Sequence, residues 1–153
     1  MSTELNLEQA RRWYEAMWSL PDYELADELV HPDYDPDWVQ IPKKGPEQVR
    51  HEMRYFRGMF PDLRYQVIDC IAQGARVWVR YRGAGTQAGS GWGFEATGRL
   101  ATFEGVAIFD FDGQGRVTDR WGMFSFYDIF TSLGLAPPCW ELSQHLDYEP
   151  GAD

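Results

Sequence analysis

The feature that most limits this chain is a change of period at Leu63. Before it, apolar residues recur every three or four positions. After it, they alternate with polar ones. The first pattern buries one stripe of a helix; the second buries one face of a sheet. Helices that come first and strands that come later do not build alternating βα units. They give an α+β fold.

In the helical part, Leu7, Ala10, Tyr14, Met17 and Trp18 share a stripe over Thr3 to Leu20, with Thr3 as candidate N-cap. Pro21 and Asp22 restart a short helix with Leu25, Ala26, Leu29 and Val30 inward. "HPDYDPDWVQIPKKGPE" carries four prolines and breaks regularity, with one short strand expected from Trp38 to Ile41. Gly45-Pro46-Glu47 opens a third helix, proline fitting its first turn, with Val49, Met53, Phe56 and Phe60 as its stripe. "LRYQVIDCIAQ" and "ARVWVRYRGAGTQ" read as two strands around Gly74. "LATFEGVAIFDFD" and "RVTDRWGMFSFYD" read as a second hairpin around Gly113 and Gly115. A helix from Asp128 to Leu133 ends at Gly134, and the tail packs through Trp140 and Leu142.

The 153 residues suit one domain, here 1–135, with 136–153 as a tail that can act as a lid. Aromatics are 16% of the chain, enough to wall a pocket. A formal charge of -10 repels phosphate backbones and anionic membranes, so neither nucleic acid nor membrane is an expected partner. Cys70 and Cys139 lack metal-site spacing and are expected as free thiols in a cytoplasmic protein. There is no Walker loop or dinucleotide fingerprint, and the glycines of "GSGWGF" do not lie between a strand and a helix.

The order of elements and several motifs resemble the SnoaL-like polyketide cyclases of the NTF2-like superfamily. They are "GPEQVR" at 45–50, "FPDLRYQV" at 60–67, "ARVWVRYRGAGT" at 75–86, "TGRLATFEGVAIF" at 97–109, "GRVTDRW" at 115–121 and "SLGL" at 132–135. The resemblance implies an α+β cone, a curved antiparallel sheet wrapped on three helices around a deep apolar cavity. It also implies a homodimer or higher homo-oligomer, and ring closure without metal or cofactor. The family carboxylate, just after the strand tryptophan, falls on Gly122; a family histidine falls on Ala107, and another on Gln87. The resemblance therefore predicts the fold while leaving the aldol mechanism without its acid.

Other residues are candidates for that chemistry. Alternation from Gly122 puts Arg120, Phe124 and Phe126 on one face. Arg120 cannot act as a base but can hold an enolate, phenolate or carboxylate; its plainer role is an ion pair at the surface. Tyr14 sits on an apolar stripe, where a buried hydroxyl needs a partner. Asp37, beside Trp38 in an acidic loop, and Glu141, beside Trp140 in the tail, are the candidate acids; the plainer role of each is a solvated surface carboxylate. Trp18, Trp38, Tyr55, Phe103, Phe124 and Phe126 are candidate substrate-binding aromatics. Glu104 joins them only if a bulge at Gly105 turns it inward. His51 falls opposite the third helix's stripe.

The expected function is cofactor-independent cyclisation or isomerisation of a bulky, apolar, polyketide-like molecule, by acid/base-assisted ring closure or epoxide opening. The alternative is a carrier that uses the same cavity only to hold a ligand.

Overall fold

The computed structural model describes residues 2–36 and 41–145. Helix α1 spans Thr3–Arg12, and Ser2, one residue before the expected cap, accepts from the Leu5 N–H at 3.3 Å. Thr3 to Leu20 is not one regular helix. From Trp13 to Trp18 the chain widens into a π turn, with Ser19 N–H bonding Tyr14 C=O at 3.1 Å. The wider turn brings Trp13, Tyr14, Met17 and Trp18 to the interior together. The expected second and third helices form as α2, Leu25–Leu29, and α3, Gly45–Met59. Of the strand expected near Trp38, positions 37–40 lie outside the described residues, and Ile41 belongs to no strand.

Strands β1 (Arg64–Gln73), β2 (Arg76–Thr86), β3 (Leu100–Phe111) and β4 (Val117–Phe124) form one antiparallel meander in the order β1-β2-β3-β4. The sheet is open. Its inner face is cut away by glycines that receive aromatic rings. A Cβ on Gly83 would lie 2.2 Å from the Phe103 ring, and one on Gly105 would lie 2.4 Å from Tyr81. Large rings can therefore lie flat on the strands. The helices cover this face; Trp13 packs edge-on to Phe109 at 5.3 Å, and Tyr14 stacks on Tyr81 at 4.3 Å. The helical layer also caps the β1 edge. Ser19 Oγ accepts from Tyr65 N–H at 2.8 Å, and a Glu15 carboxyl oxygen accepts from Val67 N–H at 3.0 Å, where β1 bulges. Backbone donors that would otherwise template further pairing are thus satisfied.

Two expectations fail locally, and one condition is not met. β3 pairs with β2 without interruption from Leu100 to Asp110, so no bulge at Gly105 turns Glu104 inward. Glu104 lies on the outer face between Arg82 at 2.6 Å and Arg80 at 3.0 Å. β4 ends at Phe124, where Ser125 caps helix α4, Phe126–Ser132, so alternation does not reach Phe126. The tail forms a 3-10 helix, Cys139–Gln144, in which Trp140 is 76% exposed rather than packed.

Candidate functional site

Between the inner face of the sheet and the helices lies a hollow of about 400 Å³. Its walls are largely aromatic. Tyr14 and Trp18 come from the π turn, Tyr55 and Phe56 from α3, and Tyr65, Tyr81 and Phe124 from the strands.

Arg120 projects from β4 into this hollow. Its guanidinium donates to the Tyr14 hydroxyl at 2.9 Å and lies over the rings of Phe109 at 5.7 Å, Trp13 at 5.9 Å and Tyr14 at 5.9 Å. Aromatic faces attract a cation, and they compensate it most strongly where water is excluded. Burial alone would lower the Arg120 pKa, but the oxygens of Tyr14, Tyr81 and Tyr34 hold it above its ordinary value. Burial raises Tyr14 above the usual phenol range, and Arg120 opposes that shift. Both groups are therefore in donor form at neutral pH.

The room for this guanidinium comes from Gly122. A Cβ there would lie 2.9 Å from an Arg120 Nη and 3.1 Å from its Cζ. Across the sheet Gly122 pairs with Ala107, and Ala107 pairs with Val79. This row of small residues leaves the floor low, and the arginine folds over it.

Glu52 also lines the hollow, from α3. One carboxyl oxygen, Oε1, is fully shielded and has no hydrogen-bond partner among the described residues. Desolvation pushes the Glu52 pKa up to about 7, with Arg120 pulling the other way. The far end is closed by Trp92, which stands in the left-handed region (φ 51) at the tip of a two-residue turn closed by Gly91 and Phe94. Its ring meets Phe56 at 5.8 Å and Phe126 at 5.3 Å.

The model of the SnoaL-like polyketide cyclases matches residues 8–133. The chain belongs to the SnoaL-like polyketide cyclase family. Solved structures agree in fold. TsrD from Streptomyces laurentii superposes with a TM-score of 0.80 at 20% identity, over 89% of this chain and 99% of that one. A SnoaL-like polyketide cyclase from Agrobacterium tumefaciens gives 0.70 at 16% identity, over 88% and 100%. IdmH from Streptomyces antibioticus gives 0.73 at 20% identity, over 84% and 98%. A comparison with curated proteins finds no match.

Within this SnoaL-like frame, the structure brings Arg120, Tyr14, Trp18, Tyr55 and Phe124 to one hollow. Phe103 packs behind it, 5.9 Å from Tyr65 and 5.6 Å from Phe124. Phe126, the first residue of α4, stacks on Phe124 at 4.4 Å but is not part of the lining. Glu104 faces outward, its pKa held low by Arg82 and Arg80. Glu141 sits in the tail's 3-10 helix and does not line the hollow, because the exposed Trp140 beside it does not fold over the mouth. Asp37 and Trp38 lie outside the described residues.

Sequence reasoning passed over Glu52, Tyr65, Tyr81 and Trp92. Three of them carried a signal. Glu52 is three residues after Val49 and four before Phe56, on the same helical face. Tyr81 continues the inward alternation of Val77 and Val79, and Tyr65 that of Val67. Trp92 gave none, because a glycine-flanked aromatic reads as an exposed loop.

Proposed function

We infer that this chain is a cofactor-independent cyclase or isomerase of a bulky, apolar, polyketide-like intermediate. The observation that supports this reading best is the buried Arg120–Tyr14 pair at the floor of an aromatic hollow. Arg120 donates to the Tyr14 oxygen, and the Tyr81 hydroxyl is hydrogen-bonded to Tyr14 as well, so a ligand oxygen entering here meets the guanidinium beside a linked pair of phenols. Together they suit an oxygen that gains negative charge in the transition state, an enolate or an opening epoxide. The aromatic walls hold a flexible chain folded, so that its reacting atoms meet.

The test is turnover of ring-open, enolisable polyketide-type ketones and their epoxides, with a chelator present, followed by mass spectrometry and NMR. A product of unchanged mass with a new ring supports the reading. Tight binding with no conversion across the series supports the carrier alternative, which the loss of side chains at Gly122 and Ala107 favours.

A homodimer acting in the cytoplasm belongs to the same proposal. On the outer face of the sheet Ile71, Trp78, Ile108 and Trp121 are aligned across all four strands. Trp78 is 45% and Trp121 46% exposed. Rows with charges of both signs flank this stripe, Arg76 with Asp110 on one side and Arg80, Arg82 and Glu104 on the other. An apolar band between self-complementary charges suits a second copy of the same face. Light scattering should show a dimer that Trp78→Arg converts to monomer. A monomeric wild-type protein would remove the dimer from the proposal.

A further inference from the structure

The geometry points to Glu52 as the proton-transfer residue, working from the α3 wall rather than from the sheet; this rests on the cyclase reading above. Among the described residues it is the one carboxyl that lines the hollow. Its Oε1 is shielded from solvent and makes no hydrogen bond to any described residue. A shielded carboxyl oxygen without a partner is costly, and an ordinary helix would carry an apolar residue at that place in the stripe. Such a group is kept where a ligand uses it.

The position also sets a direction. The resemblance places the family carboxylate at Gly122, on the sheet, where the Arg120 guanidinium now lies. Glu52 comes from the helical layer. Negative charge on the substrate is thus held at the floor by Arg120 and Tyr14, while the proton is exchanged with an atom facing α3. The other charged or titratable groups around the same hollow are Arg120 from β4, Tyr14 from the π turn, Tyr65 from β1, Tyr81 from β2, and Tyr55 and His51 from α3. The Glu52 charge in turn adds to the upward shift of the buried Tyr34. Burial raises Tyr14, Tyr65 and Tyr81 above the usual phenol range. His51 is exposed, so near neutrality the carboxyl is the shielded group of the hollow poised to exchange a proton.

The probe is 5-nitrobenzisoxazole, whose ring opening needs only a base and an anion-holding site. The Glu52 carboxylate takes the ring C–H proton, the N–O bond breaks, and its electron pair ends on the phenolate oxygen of the cyanophenol product. Wild-type protein is expected to outpace free acetate, with a rate that rises with pH through about 7 and then levels. Glu52→Gln is expected to lose about 10²–10⁴-fold and the pH dependence with it. Glu52→Asp should restore part of both.

A second readout does not depend on catalysis. The folded-state pKa lies above the unfolded value, so folding binds a proton. That contribution to stability is full below the ordinary glutamate pKa and is lost as pH rises through about 7. Urea unfolding should show this fall in the wild type and not in Glu52→Gln. The proposal is overturned if Glu52→Gln stays within twofold of wild type, if the wild-type rate does not exceed free acetate, or if the stability profiles coincide. If Arg120→Leu still slows turnover while Glu52→Gln does not, the cyclase reading stands and the Glu52 assignment alone fails.

Discussion

Replacing Arg120 by leucine is expected to lower turnover by about 10²–10³-fold while changing stability little. The two halves of this expectation have different causes. Turnover falls because the guanidinium and the Tyr14 hydroxyl form one preorganised donor pair, 2.9 Å apart. Removing one donor from such a site typically costs about 3–4 kcal/mol of transition-state stabilisation. Stability changes little, because the desolvation penalty that leucine avoids is offset by loss of the tyrosine oxygens and rings that compensate the cation. Leucine is too short to reach Trp13, Tyr14 and Phe109, the rings that now surround the guanidinium, so the vacated space joins the hollow. Lysine should not rescue turnover, since a single ammonium cannot reproduce the planar fork that lies across these rings. Kinetics on the ring-closing substrate and thermal unfolding of the same samples check both halves. A variant that is unstable and fully active would show that Arg120 serves the fold, not the chemistry.

The fold was legible because its signals are local. The period change at Leu63 and the glycines at 74, 113 and 115 place the strands, and Gly45-Pro46 places α3. The inward face followed from one anchor. Once Gly122 faces in, alternation carries Arg120 and Phe124 with it, and the structure places both in the hollow. The same rule failed at Phe126, because Ser125 ends β4 by capping α4 through the Asp128 N–H at 3.1 Å. Glu52 was missed for a different reason. Reading a helix by its apolar residues discards any polar residue on the same face, and that is where a catalytic carboxyl on this helix has to lie. Glu141 drew attention through its neighbour Trp140, yet where a tail docks is a tertiary matter that spacing does not encode. The π turn was also hidden. It depends on Ser19, whose hydroxyl donates to Tyr14 C=O at 2.7 Å while accepting from β1.

Arg57→Met is expected to destabilise the fold by about 3–4 kcal/mol, the largest loss foreseen for a residue outside the hollow. Met17 C=O still accepts from Asp22 N–H at 3.0 Å, but the helix stops there, so the Trp18 and Ser19 carbonyls lack the donors a further turn would supply. Arg57, in the last turn of α3, supplies the donors instead. Its guanidinium bonds the carbonyls of Trp18, Ser19 at 3.1 Å, Pro61 at 2.7 Å and Leu63 at 2.7 Å. One side chain thus ties the π turn, the end of α3 and the approach to β1. Methionine keeps the stem's packing and removes every donor, so the loss reports the hydrogen bonds rather than a cavity. The figure stays below the sum of four charged hydrogen bonds because the site is only half-buried and water can reach part of it. Lysine should recover less than half, since its three donors diverge from a point and cannot span all four oxygens. Urea unfolding with an unchanged m-value is the measurement. The same variant should weaken ligand binding in the hollow, because Tyr14 and Trp18 ride on the turn that Arg57 holds. A loss of stability below about 1 kcal/mol would mean that water replaces the guanidinium at all four carbonyls.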